Sequence, residues 1–296
     1  MTQQRPSPLK LYLSLFLGIV SVSFAAILIR LVQIPPSQVP PLIIAGYRMG
    51  LAAIILLPVT LITRFKELNR LSFEQVLLSL LSGFFLGLHF ALWITSLQYT
   101  SITRSVVLVT TSPIFVGIIS HFILKERVSR RLVVGIVMTL GGGILISTGG
   151  YSTGKGGLWG DFLALAGAGM MAFYLLLGRK LRQQLSLLTY IFLVYTTSAL
   201  LLIFLSVWLN LPLRGYSLKT YFLFLLLALI PTIIGHSSFN WSLKYLPAPV
   251  VSVSILGEPV GASLLAYLLL KEVPTWIEVL GGSCILMGIY ISLGKR

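Results

Sequence analysis

Apolar runs about as long as a bilayer is thick recur ten times along this chain, parted by short clusters of Pro, Gly and charge. A hydrocarbon core of ~30 Å takes about 20 helical residues to cross, because every backbone N–H and C=O must be bonded within the segment. The pattern predicts helices at approximately 9–31, 41–62, 75–97, 104–124, 131–149, 158–178, 187–209, 219–241, 248–270 and 275–293. The expected fold is therefore all-α: a polytopic integral membrane protein with ten transmembrane helices. The first run is longer than a signal-peptide core and more runs follow, so it reads as a retained helix.

The polar punctuation repeats. Adding 146 to Leu97, Tyr99, Pro113, Gly135 and Gly142 lands on Leu243, Tyr245, Pro259, Gly281 and Gly288, and Leu124-Lys125-Glu126 lands on Leu270-Lys271-Glu272. A fixed-offset echo marks two units built on one plan. Five helices fall at 1–149 and five at 158–296, joined by a glycine-rich linker at 150–157. An odd number of crossings sends the second unit into the membrane upside down. Two inverted five-helix repeats are thus expected, an architecture common among secondary transporters.

Composition sharpens this picture. Only 10% of residues are charged and 56% are hydrophobic, whereas soluble domains carry about a quarter charged residues. The net charge of +15 does not imply nucleic-acid binding, since the basic residues sit in short loops between apolar runs. With the N-terminus inside, fifteen of the 22 basic residues fall on the cytoplasmic side, among them Arg64, Lys66 and Arg70, Lys125 to Arg131, and Arg179 to Arg182. That asymmetry places both termini in the cytoplasm of a cell with this chain in its plasma membrane. The lone Cys284 can build neither a disulfide nor a thiolate cluster. Gly149 to Lys155 resembles a phosphate-binding loop, but Gly156 stands where a hydroxyl must ligate magnesium and no strand precedes it. No cofactor is expected.

Several motifs then stand in a telling order. Ala45-Gly46-Tyr47-Arg48, Gly87-Leu88-His89-Phe90-Ala91-Leu92-Trp93, Gln98 to Ser101, and Thr111-Ser112-Pro113 running to Leu124-Lys125-Glu126 resemble the first half of an EamA-type member of the drug/metabolite transporter superfamily. Gly235-His236 through Asn240-Trp241, Tyr245-Leu246-Pro247, and Gly257-Glu258-Pro259 running to Lys271-Glu272 resemble its second half. The resemblance covers nearly the whole chain and implies two inverted repeats around a central cavity, with transport, often export, of small metabolites such as amino acids. Arg104 departs from it, at a position where small residues are usual.

Ionisable groups at membrane depth cost about 2.5–3.5 kcal/mol on insertion scales, so each is a candidate site residue. His89 and Trp93 lie four apart and share one face of the third helix; His236 and Asn240 do so on the eighth, with Trp241 adjacent. These faces can converge on a polar solute, the indoles stacking on its apolar part. Alternatively each histidine donates to a backbone carbonyl and only holds the bundle together. Glu258 can carry a coupling proton, contact a cationic group, or pair with Arg48. Arg48 in turn can hold a solute carboxylate; Tyr47 and Tyr174 are further candidates for the lining. Pro113 and Pro259 interrupt the fourth and ninth helices, exposing carbonyls and offering kinks for gating.

The leading function is a secondary carrier moving a small organic solute by alternating access, with membrane lipid and that solute as partners. A membrane-embedded enzyme would need a fixed acid/base or metal constellation, and no HExxH run, carboxylate cluster or Ser-His-Asp set is present. A non-transporting scaffold would ordinarily bring a soluble domain or long tail. Substrate identity, coupling ion and oligomeric state are not written in the sequence.

Overall fold

The computed structural model describes residues 6–33, 39–99, 105, 108–123, 129–149, 158–265, 267–268 and 275–293. Among the described residues every regular element is helical. These are α1 Pro8–Gln33, α2 Pro41–Leu68, α3 Phe73–Tyr99, α4 Ser112–Ile123, α5 Arg130–Gly149, α6 Leu158–Leu181 and α7 Leu187–Trp208. There follow α8 Leu218–Leu227, a π-helical segment Ala228–His236, α9 Ser237–Ser242, α10 Ala248–Ile255, α11 Glu258–Leu265 and α12 Trp276–Leu293. Among the described residues, seven stretches are long and apolar enough to cross a membrane: α1, α2, α3, α6, α7, the run Leu218–Ser242 and the run Ala248–Leu265. The fourth, fifth and tenth expected crossings correspond to α4, α5 and α12, which are not among those seven. Arg104, Lys125, Glu126, the linker 150–157, Lys271 and Glu272 lie outside the described residues.

Local chemistry sets several helix starts. Ser72 and Gln75 cap α3 reciprocally, Gln75 N–H donating to Ser72 Oγ at 3.2 Å and Ser72 N–H to Gln75 Oε1 at 3.0 Å. Ser186 and Ser217 accept from Thr189 and Thr220 N–H at the starts of α7 and α8. The outward faces are apolar: Ile54, Ile62, Phe122, Trp276 and Tyr290 are all exposed. Water would penalise that surface, and lipid does not. The protein is a multi-pass membrane bundle.

The two halves exchange roles in the packing. α3 lies against α6 and α7, while the stretch α8–π–α9 lies against α1 and α2; α2 packs on α7, and α5 on α12. The α5–α12 crossing fixes the direction. A Cβ on Gly135 would stand 2.7 Å from Gly288 O, and one on Gly142 would strike Gly281 O. Gly135 and Gly142 are the repeat counterparts of Gly281 and Gly288, yet each meets the other's counterpart rather than its own. That cross-pairing requires antiparallel helices about a twofold axis perpendicular to them. Only glycine allows the backbones so close.

The membrane path is interrupted three times. Ser112 and Glu258, equivalent in the repeat, are the first residues of α4 and α11, and Pro113 and Pro259 stand second. The prolines therefore do not kink continuous helices, as the sequence suggested. They open new helices after a turn, where a missing N–H costs nothing. The third break is the π segment, which contains Pro231.

Candidate functional site

A cavity of about 50 Å³ forms where the interrupted helices of both halves meet, with room for a few waters. Its walls obey the repeat. Phe90 and His236, Trp93 and Phe239, Val109 and Ile255, and Ser112 and Glu258 all line it, each pair 146 residues apart. Val109 and Ile255 stand four residues before Pro113 and Pro259, so theirs are the carbonyls that those prolines leave without an α-helical partner. Strict equivalence pairs His236 with Phe90, one residue from His89. Both histidines nevertheless reach the cavity, as do Arg48 and Met171.

Arg48 is brought from α2 into a fully buried position, 1% exposed. Its Nε donates to Thr232 Oγ1 at 2.7 Å and its guanidinium lies 4.3 Å from the centre of the Phe90 ring. A planar, weakly hydrated cation tolerates such a setting through these contacts. Nη1 has no hydrogen-bond partner. Among the described residues no hydrogen bond or ion pair joins Arg48 to Glu258, so the pairing considered from the sequence is replaced by the bond to Thr232. Glu258 lines the same cavity, and its backbone carbonyl accepts from Ser23 Oγ at 3.2 Å.

The two histidines differ. His89 Nδ1 lies 3.0 Å from Gly167 O, and a carbonyl only accepts, so Nδ1 carries the proton and Nε2 is left as an acceptor. Its ring stacks on Trp93, with centroids 6.1 Å apart and planes at 15°. His89 therefore both holds α6 and lines the cavity. His236 meets the Phe90 ring edge-on at 5.5 Å and its Nδ1 has no partner. Trp93 Nε1 is likewise buried without a partner. Three unsatisfied buried nitrogens, on Arg48, Trp93 and His236, thus belong to one cavity's walls. Leaving such groups unpaired costs about 1–3 kcal/mol each, which a polar guest would recover.

Four candidates lie elsewhere. Asn240 and Tyr174 are buried beside His236 but outside the cavity, Asn240 Nδ2 donating to the Tyr174 hydroxyl at 2.6 Å. Trp241 faces the other way, under Lys10 Nζ at 5.8 Å and beside the Tyr245 ring at 4.9 Å. Tyr47 donates to Leu213 O at 2.6 Å and stacks on Phe224 at 4.5 Å. It lines a separate apolar groove of about 250 Å³ between α2 and α7, with Gly46, Gly50 and Ile203. Adjacent helical residues point about 100° apart, which explains why Tyr47 and Trp241 part from Arg48 and Asn240. Phe90, Phe239 and Ser112 were overlooked; the 146-residue offset applied to His236, Trp93 and Glu258 points to each of them.

Outside the membrane, the chain after α6 clamps the end of α9. Arg182 Nε donates to Asn240 O at 3.0 Å, its Nη1 bonds Leu185 O, and Arg179 Nη1 donates to Leu243 O at 2.7 Å. Burial lowers the Arg182 guanidinium to a pKa of about 10, which still leaves it charged.

A multi-pass helical bundle enclosing a small polar cavity built from two related halves is the architecture of a membrane transporter. Residues 12–148 and again 158–294 match the EamA-like transporter family, and the chain belongs to that family. Similar proteins include one from Bacillus subtilis (strain 168) named uncharacterized transporter YetK, 25% identical over 267 residues, spanning 88% of this chain and 80% of that one. Another, from Archaeoglobus fulgidus, is named an uncharacterized transporter and is 29% identical over 202 residues, 67% of this chain and 70% of its own. One solved crystal structure of a protein superposes with a TM-score of 0.78 over 96% of both chains at 16% identity, a likeness of fold.

Proposed function

We propose that this protein carries a small zwitterionic solute, an amino acid or a close analogue, across the plasma membrane by alternating access, in the direction of export. The observation that carries the reading is the collection of unpaired polar groups in one cavity. Arg48 Nη1, Trp93 Nε1 and His236 Nδ1 lack partners, and the Glu258 carboxyl is not bonded to Arg48. A carboxylate fits the arginine, an ammonium fits Glu258, and the aromatic walls take an apolar side chain. The cavity holds only a few waters as drawn, so the solute enters when the halves move apart about their interrupted helices.

In this proposal the ten crossings form two inverted units, 1–149 and 158–296, linked by 150–157, with both termini cytoplasmic. The antiparallel α5–α12 crossing and the side-by-side loop charges support that topology. Glu258 is the coupling-proton carrier, and its repeat counterpart Ser112 is not ionisable. The test is uptake of a radiolabelled mixture of the twenty protein amino acids into inverted vesicles, with and without an imposed pH gradient. Glu258→Gln is expected to transport without responding to the gradient. A gradient response equal to that of wild type removes the proton role, and no amino-acid uptake by wild type removes the substrate class.

A further inference from the structure

The π segment Ala228–His236 follows from one residue. Pro231 has no N–H to give to Leu227 O, so the α ladder fails there. In the π ladder each carbonyl takes the N–H five residues on, so Thr232 N–H closes the turn over Leu227 O, which also accepts from Thr232 Oγ1 at 3.0 Å. Thr232 Oγ1 in turn accepts from Arg48 Nε at 2.7 Å. A hydroxyl has one proton, already given to Leu227, so only lone pairs remain for Arg48 and the polarity of the chain is fixed. The Thr232 carbonyl is bonded in turn by the Tyr195 hydroxyl of α7 at 3.3 Å and by Ser237 Oγ at 3.5 Å. Thr232 does not itself line the cavity. It repairs the break in one helix and aims the guanidinium of another, leaving Nη1 free.

We infer that Thr232 is a positioning residue that ties Arg48 to the π segment, so that a solute group drawing Arg48 off the hydroxyl loosens the stretch Leu218–Ser242 and starts its movement. This rests on the proposal that Arg48 faces the solute. π segments are rare and are found frequently at functional sites, and a change of register within this one is the movement inferred. Here such a shift would carry His236 with it. Linkage makes the effect mutual: whatever moves the segment changes how tightly Arg48 holds an anion. The neighbouring half has no such device, for the counterparts of Arg48, Pro231 and Thr232 are Val194, Phe85 and Leu86.

The experiment is amide hydrogen exchange of the full chain in lipid nanodiscs, read over residues 228–237, for wild type, Thr232→Ser, Thr232→Val, Arg48→Met and the Arg48→Met/Thr232→Val double variant. Arg48→Met, which loses only the bond to Thr232, is expected to raise exchange about tenfold, the opening produced by losing one hydrogen bond of ordinary net worth, and Thr232→Val, which also loses the bond to Leu227 O, by more. Thr232→Ser keeps the hydroxyl and should match wild type. The double variant should exchange no faster than Thr232→Val alone, because that substitution already cuts the link to Arg48. Exchange in Arg48→Met equal to wild type overturns the inference, as does a double variant whose effect is the product of the singles. Should Thr232→Val fail to fold, Arg48→Met and Thr232→Ser alone decide it. Wild-type vesicles that take up no amino acid would sink the functional reading instead, leaving the exchange result intact.

Discussion

α3 and the stretch Leu218–Ser242 occupy the same place in the two repeats, yet only one of them is a plain helix. α3 runs unbroken from Phe73 to Tyr99, and its cavity histidine is anchored by Gly167 O at 3.0 Å. The later stretch carries nine π-helical residues around Pro231, and its histidine leaves Nδ1 unpartnered. Two copies of one plan have thus diverged into a fixed wall and an adjustable one. The lesson is that symmetric packing can be kept while the polar chemistry is concentrated on one side, where the backbone has a reason to move.

The strongest way to break this contrast is to make α2 resemble its counterpart. Arg48→Val installs the residue found at the equivalent Val194 of α7. It removes the one guanidinium that lines the cavity among the described residues and frees Thr232 from its cross-helix bond. Losing a buried, charge-assisted contact to a solute costs about 2–5 kcal/mol, so vesicle transport should fall at least about thirtyfold. Arg48→Lys should restore little, since an ammonium cannot both reach Thr232 and present a second nitrogen to a carboxylate. Transport rates within a factor of about two of wild type for either variant would mean that the unpaired Nη1 is not part of the path.

A smaller effect separates the two regions by packing. A Cβ added at Gly83 of α3 would sit 2.6 Å from both Val194 O and Thr197 Cβ, so backbone would have to shift. One added at Gly235 in the π segment meets Val22 Cγ1 at 2.8 Å, a side chain that can turn, and nothing of the backbone nearer than 3.3 Å. Gly83→Ala should destabilise by about 1–3 kcal/mol, the usual cost of overpacking. Gly235→Ala should cost less than half of that. Thermal unfolding in detergent ranks the two, and equal losses would show that the π segment is as rigid as α3.

The membrane character and the repeat were legible in the sequence because the bilayer makes both obligatory: apolar runs must be long, and paired prolines and glycines must recur where backbones break or touch. Arg48, His89, Trp93, His236 and Glu258 were legible as cavity residues because ionisable or hydrogen-bonding groups at that depth need a reason. What stayed hidden was rotational position. Tyr47 neighbours the lining Arg48 but looks outward, Trp241 turns away beside Lys10, and Asn240 shares a face with His236 yet sits beside Tyr174, buried behind the wall. The π segment was equally hidden, since Pro231 announces a lost hydrogen bond but not that Thr232, one residue on, will bond Leu227 O in its place.

The finest distinction between the two regions lies in their histidines, and replacing each by phenylalanine should change stability in opposite directions. Phe90 is the repeat counterpart of His236, so the first half of the bundle already accommodates a phenyl ring at the mirrored position. His236→Phe removes a buried nitrogen that bonds to nothing and keeps the edge-on contact with Phe90. Relieving that desolvated group should stabilise the fold by about 1 kcal/mol, a rise in the thermal midpoint of about 2–4 °C. His89→Phe instead strips the donor from Gly167 O and should lower the midpoint by a similar amount. Transport should fall in both, because both rings face the cavity. A variant that gains stability while losing transport marks a group kept for its work on the solute, whereas loss of both in His236→Phe would mean its nitrogen is satisfied by a water that belongs to the fold.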